Sequence, residues 1–174
     1  MRVMVRFTMR FLRAPVQRLR PGAVLLAALF AVLASLALSP AALAQSKPQA
    51  PLPDKPFAEH HLVIQLSDRT PAKQALALSV PYNLLKFYEP DKISIVVVAF
   101  GPGIDLLRAK SPNRAKVDSL ISQGVEFDIC MNTVDTIERE TGKKVDINPK
   151  AVKVQVGVAR ILELAEKGYT VVRP

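Results

Sequence analysis

The chain has 174 residues, about half of them hydrophobic, and 24 lysines and arginines against 15 aspartates and glutamates give a formal charge of +9. That length allows one ordinary domain with an extension, and the hydrophobic share is enough for a core. The charge is uneven: Arg2, Arg6, Arg10, Arg13, Arg18 and Arg20 precede residue 22 with no acid among them, and the rest carries 18 basic and 15 acidic residues, a surplus of +3 that argues against a nucleic-acid binder.

Residues 1–44 read as a signal peptide. An arginine-bearing start is followed by the apolar run Ala23 to Leu38, then Ser39-Pro40, and Ala42 to Ala44 form the small-x-small pattern of a signal-peptidase site. Cleavage is expected after Ala44, with the mature protein in the periplasm. The apolar run falls short of the roughly 20 residues that span a bilayer, so membrane attachment is expected only if this segment stays uncleaved. Residues 45–59, with four prolines and no helical or strand period, read as an extended tether.

The domain, residues 60–174, opens with the strand "HHLVIQLS", which ends at the turn "SDRT". "PAKQALALSVPYNLLKFY" places Ala72, Leu76, Val80, Leu84 and Phe87 on one helical stripe, with Pro71 suited to the first turn and Pro81 expected to kink or break the helix. Ile93 to Phe100 is a continuous apolar strand closed by "GPG", of the kind buried in a parallel sheet. Ser111-Pro112 fits a helix N-cap and first position, Val117, Leu120 and Ile121 supply the buried face, and Gly124 suits the end. "VEFDIC" is the third strand, with Val125, Phe127 and Ile129 opposed to Glu126, Asp128 and Cys130. A short helix, "TVDTIERE", follows and stops at Thr141-Gly142. The last third gives a short strand at Val152 to Val156, a helix with Val158, Ile161, Leu162 and Ala165 inward and Gly168 as cap, and the closing strand "YTVV". Strands alternating with helices predict a three-layer α/β/α sandwich on a mostly parallel sheet of about five strands.

Cys130 is the only cysteine. In an oxidising compartment it has no internal partner, so it is free, modified or joined to another molecule. In open parallel sheets, ligands and reactive groups collect beyond the carboxyl ends of the strands, and "SDRT", "GPG" and "CMNT" all leave the sheet at that edge. A working thiol is the reading this placement favours; a buried spacer is the alternative. If Asn132 or Thr133 caps the following helix, free N–H groups would support a thiolate, whereas Asp128 and Asp135 would oppose one. Ser67, Asp68, Arg69, Gly101 and Gly103, on the two neighbouring loops, are the candidates for lining the site.

His60 and His61 are adjacent at the amino edge and point to opposite faces, which makes a Cys-His pair or a metal site on them a poor fit. "GPGIDLL" matches neither phosphate-loop pattern, and there is no G-x-S-x-G elbow. No metal and no cofactor are expected.

The order "HLVIQLSD", helix, "KISIVVVAFGPGIDLL", "ISQGVEFDICMNT" and "VGVARILELAEKGYTVVRP" resembles the DsrE/DsrF-like family of small sulfur-relay proteins across essentially all of residues 60 to 174. Its most specific pieces are "VVVAFGPGIDLL", the G-V-x-F-x-x-C-x-N-T run from Gly124 to Thr133, and the "KGY" before the last strand. The resemblance implies a compact α/β sandwich forming homo-oligomers, trimers or hexamers, with Cys130 at the position of the cysteine that carries persulfide sulfur in several members, and Asn132 and Thr133 at the positions that follow it. It also implies a sulfane-sulfur donor and an acceptor thiol as partners. Export departs from the family's intracellular sulfur carriers. The reading from a different class is a non-catalytic oligomeric module that binds a small ligand, with Cys130 lining its pocket. An intermolecular disulfide through Cys130 is a third.

Overall fold

The computed structural model describes Ala50, Pro51 and residues 53–174. The signal-peptide reading of residues 1–44 and the start of the proline-rich segment lie outside the described residues.

Five strands, β1 (His60–Leu66), β2 (Ile93–Ala99), β3 (Glu126–Cys130), β4 (Val152–Val154) and β5 (Thr170–Val172), form one sheet in the order β4-β3-β2-β1-β5, and every pairing is parallel. Four helices accompany them: α1 (Pro71–Tyr88), α2 (Arg114–Ser122), α3 (Met131–Thr141) and α4 (Gly157–Glu166). A sheet covered on both faces makes β2 an unbroken buried run, as its sequence demands.

The strand order explains how the helices divide. From β1 to β4 the chain steps steadily toward one edge, so crossovers of one hand put α1, α2 and α3 on the same face. The return from β4 to β5 runs the other way and puts α4 alone on the opposite face. Two separate apolar clusters result. One joins Leu62, Ile64, Leu66, Ile95, Val97, Phe127 and Ile129 to Ala77, Leu78, Leu85, Val117, Leu120 and Val134. The smaller joins Val63, Val96 and Val98 to Ile161, Leu164 and Tyr169.

Local expectations are corrected at four places. Helix α1 runs through Pro81 as one element, and its buried positions are Gln74, Ala77, Leu78, Pro81 and Leu85; Leu76 and Phe87 are exposed. Apolar side chains run nearly all round this helix, so their spacing did not single out the inner face. Helix α2 begins at Arg114 after Asn113, because Ser111 Oγ instead accepts from the Asn113 N–H in a preceding turn. "GPGIDLL" is a 3-10 helix, Gly101–Leu107, folded against the end of β1. In α4, Gly157, Arg160, Ile161 and Leu164 are buried, whereas Val158, Leu162 and Ala165 are exposed.

The described end of the proline-rich segment lies on the domain. Arg160 donates from Nη1 to the Ala50 carbonyl and from Nη2 to the Pro51 carbonyl, each at 2.9 Å, and Lys55 Nζ donates to the Pro90 carbonyl at 2.6 Å.

Candidate functional site

Residue 130 ends β3 and is at once the N-cap of α3, so the thiol stands where strand turns directly into helix at the carboxyl edge. The helix starts at Met131, two residues earlier than its sequence suggests. Neither Asn132 nor Thr133 caps it. Asn132 donates its backbone N–H to the Gln155 carbonyl at 3.1 Å, and its side-chain oxygen accepts from Gln155 Nε2 at 2.8 Å. Thr133 Oγ1 accepts from the Gly101 N–H at 3.0 Å, which ties the start of α3 to the end of β2.

A second helix start meets the sulfur. Gly157, the first residue of α4, donates its N–H to Cys130 Sγ at 3.3 Å, while Sγ lies 3.8 Å from the Gln155 carbonyl. The approach is tight: a Cβ at residue 157 would stand 3.2 Å from both the Cys130 and Phe100 Cβ atoms. The sulfur therefore accepts from one backbone N–H and donates to one backbone carbonyl. The side chain is 5% exposed, and the exposed residues Gln155 and Val156 precede the helix turn that covers it.

The other candidates divide. Gly101 joins the thiol's surroundings through Thr133, and the Ser67 carbonyl lies beside it, 3.8 Å from where a residue-101 Cβ would be. Gly103 packs on β1, where a Cβ would fall 2.2 Å from the Leu66 carbonyl oxygen, so its role is close packing. Asp68 accepts from the Thr70 N–H at 2.8 Å and pairs with Lys73, and Arg69 pairs with Asp105 at 3.5 Å. Those two side chains are engaged in their own loop region rather than with Cys130. His60 and His61 take opposite faces, the first against Tyr88 and the second against Tyr169. Among the described residues, Cys130 lines neither of two surface concavities. The larger, about 690 Å³, lies between α1 and α2 with Pro71, Leu78, Tyr82 and Leu120 on its walls.

A charge cluster beside the thiol escaped the sequence reading. Glu126, Asp128 and Cys130 alternate onto the face of β3 that α4 covers, and Arg160 comes down on the two acids. Its Nε donates to Asp128 Oδ2 at 3.0 Å and its Nη2 to Glu126 Oε1 at 2.9 Å. Arg160 is 1% exposed and Asp128 0%. Burial first, then the neighbouring Glu126, pushes the Asp128 carboxyl up to about 8 in spite of Arg160. The cluster thus keeps a proton to higher pH than a free carboxyl would, and a proton on Oδ1 would give that otherwise partnerless atom a donor role. The available signal was two acids on one face of an otherwise apolar strand, which calls for a buried cation.

No family model matches the chain, and no curated protein matches it. Solved structures do. The structure of the protein of unknown function MTH1491 from Methanobacterium thermoautotrophicum matches with a TM-score of 0.60 and 28% identity, over 67% of this chain and 100% of that one. The crystal structure of the ychN protein from E. coli matches with a TM-score of 0.52 and 15% identity, over 66% of this chain and 99% of that one. YchN has a DsrE/DsrF-like fold, and with these neighbours the five-stranded parallel domain described above is an α/β domain of DsrE-like fold.

Proposed function

We propose that this protein is an exported, oligomeric sulfur carrier that holds sulfane sulfur on Cys130 as a persulfide. The observation that carries the reading is the placement of one sulfur where two helices start: Cys130 is the N-cap residue of α3, without a side-chain bond to that helix, and the Gly157 N–H at the head of α4 donates to Sγ at 3.3 Å. Negative charge on sulfur is what attack on a sulfane-sulfur donor requires. The Cys130 thiolate attacks the outer sulfur of a polysulfide, the donor's S–S bond breaks, and the shortened polysulfide leaves with the electron pair. An acceptor thiolate then attacks the outer sulfur of Cys130-S-SH and releases the Cys130 thiolate. Because the side chain is almost covered, donor and acceptor enter through a shift of the Gln155–Gly157 stretch.

The test is the intact mass of the purified protein after incubation with polysulfide, beside Cys130→Ser. A gain of one sulfur that reductant reverses and the variant lacks is expected; no gain in the folded wild-type protein overturns the reading. N-terminal sequencing of protein recovered from the periplasm tests export, with Gln45 as the expected first residue.

A ligand-binding module is the second reading, favoured by the groove between α1 and α2. Since Cys130 is not on its walls, Cys130→Ser would leave binding there intact. Burial of Cys130 works against an intermolecular disulfide.

A further inference from the structure

Helix α4 touches β3 at two points one helical turn apart. Its first residue, Gly157, meets Cys130, and Arg160 meets Asp128 and Glu126. Cys130 and Asp128 are two residues apart on one strand and face the same side, so the thiol and the charge cluster are adjacent stations under one helix. The guanidinium is also held from the far side by the Ala50 and Pro51 carbonyls, with Glu163 Oε2 at 3.9 Å from Nη1. Its donors therefore bridge a strand, a helix and the segment that leads into the domain.

We infer that Arg160 is a positioning residue for Cys130: clamped between the Asp128 and Glu126 carboxyls and the Ala50 and Pro51 carbonyls, it fixes the first turn of α4 over the thiol and so sets how readily the sulfur reacts. The physical argument is rigidity. A helix of ten residues that covers one sheet face alone has few anchors, and its strongest directional contact is this buried, charge-assisted set. When the clamp loosens, the turn that shields Sγ opens, and the Gly157 N–H leaves the sulfur together with its cover.

The proton held by the acids gives the clamp a signature that simple structural support would lack. The charged and titratable groups around Asp128 are Glu126 on its own strand, Arg160 and Glu163 on α4, Tyr169 before β5, and Asp54, Lys55 and Lys150 on the Glu126 side. Above about pH 8 Asp128 gains its charge. That charge grips Arg160 harder and stands near the thiolate, so both effects slow Cys130 there. The inference deepens the sulfur-carrier reading, but its readout is thiol reactivity and does not depend on persulfide loading.

The experiment is the rate of Cys130 alkylation by iodoacetamide in the folded full chain, for wild type, Arg160→Leu, Arg160→Lys and Asp128→Asn, with thermal melting as the check on folding. Arg160→Leu is expected to speed alkylation about tenfold or more, with Arg160→Lys between it and wild type. The ratio of the Asp128→Asn rate to the wild-type rate is expected near unity at pH 6 and about threefold or more at pH 9. A folded Arg160→Leu protein alkylated at the wild-type rate overturns the inference, and so does a rate ratio that stays flat from pH 6 to 9. If Arg160→Leu does not fold, the pH comparison with the near-isosteric Asp128→Asn decides it.

Discussion

On one face of the sheet, α1, α2 and α3 close over an apolar layer centred on Ile64, Ile95, Val97 and Phe127. On the other, α4 alone covers Val63, Val96 and Val98, and next to that small apolar layer lie two acids, an arginine and the cysteine. The same strands supply both faces, so the difference comes from alternation along β3 and from the single return crossover. The broad face carries stability that is indifferent to pH. The narrow face carries the groups that can change charge, and with them the candidate chemistry.

The largest effects should separate the faces by their pH dependence. Phe127→Ala, in the broad core, is expected to cost about 3–5 kcal/mol at any pH between 5 and 9. Arg160→Ala leaves two acids without their cation and is expected to cost about 3–5 kcal/mol above pH 8, and less at pH 5, where Asp128 is protonated. The sign follows from linkage. Asp128 titrates at about 8 in the folded protein against an ordinary 3.8, so between those values the folded chain binds the extra proton. Its contribution is therefore full below about pH 4 and is lost as pH rises to about 8, by at most about 1.4 kcal/mol per pH unit. Urea denaturation at pH 5, 7 and 9 reads this directly. Asp128→Asn should flatten the slope, and a wild-type slope that survives Asp128→Asn would place the proton elsewhere.

Two glycines give a smaller contrast. Alanine at Gly103 would drive its Cβ to 2.2 Å from the Leu66 carbonyl oxygen, where a backbone must move. About 1–3 kcal/mol of destabilisation is expected. Alanine at Gly157 meets side-chain atoms alone, the Cys130 and Phe100 Cβ atoms at 3.2 Å and Phe100 Cδ1 at 3.5 Å, which a shift of a few tenths of an ångström relieves, so a cost below about 1 kcal/mol is expected. Thermal melting of both variants compares how far each site yields; equal costs would mean that α4 is as rigidly seated as the 3-10 helix.

The same contrast explains what the sequence made legible. Element order, the parallel sheet and the placement of Cys130 on the carboxyl edge follow from β-branched runs and from glycine and proline punctuation, which act locally. The inward faces of α1 and α4 did not follow. In α1 the surplus of apolar residues hid the buried side. In α4 the apolar spacing points to Val158 and Leu162 rather than to Arg160, because an arginine turns inward only when its counter-charges wait there, and Glu126 and Asp128 lie more than thirty residues earlier. For the same reason Gln155 and Gly157 were missed as neighbours of the thiol, while Asp68 and Arg69, near in the fold's plan, found partners of their own.

The smallest expected effect tests whether every polar contact on the narrow face behaves like the cluster. Ser94 alternates with Val96 and Val98 toward α4, and its hydroxyl lies 2.8 Å from the Tyr169 hydroxyl in a buried pair. Both groups are neutral near pH 7, and burial holds the Tyr169 phenol above its ordinary value. Tyr169→Phe leaves the Ser94 hydroxyl buried without this partner and is expected to cost about 1 kcal/mol, with no dependence on pH between 5 and 9. Ser94→Ala in the same chain should restore part of the loss, because it removes the stranded group. Denaturation of the two single variants and the double variant measures the coupling. Alkylation of Cys130 in all three is expected to stay at the wild-type rate, since this pair does not hold the first turn of α4; a faster rate would extend control of the thiol from Arg160 to the far end of the helix.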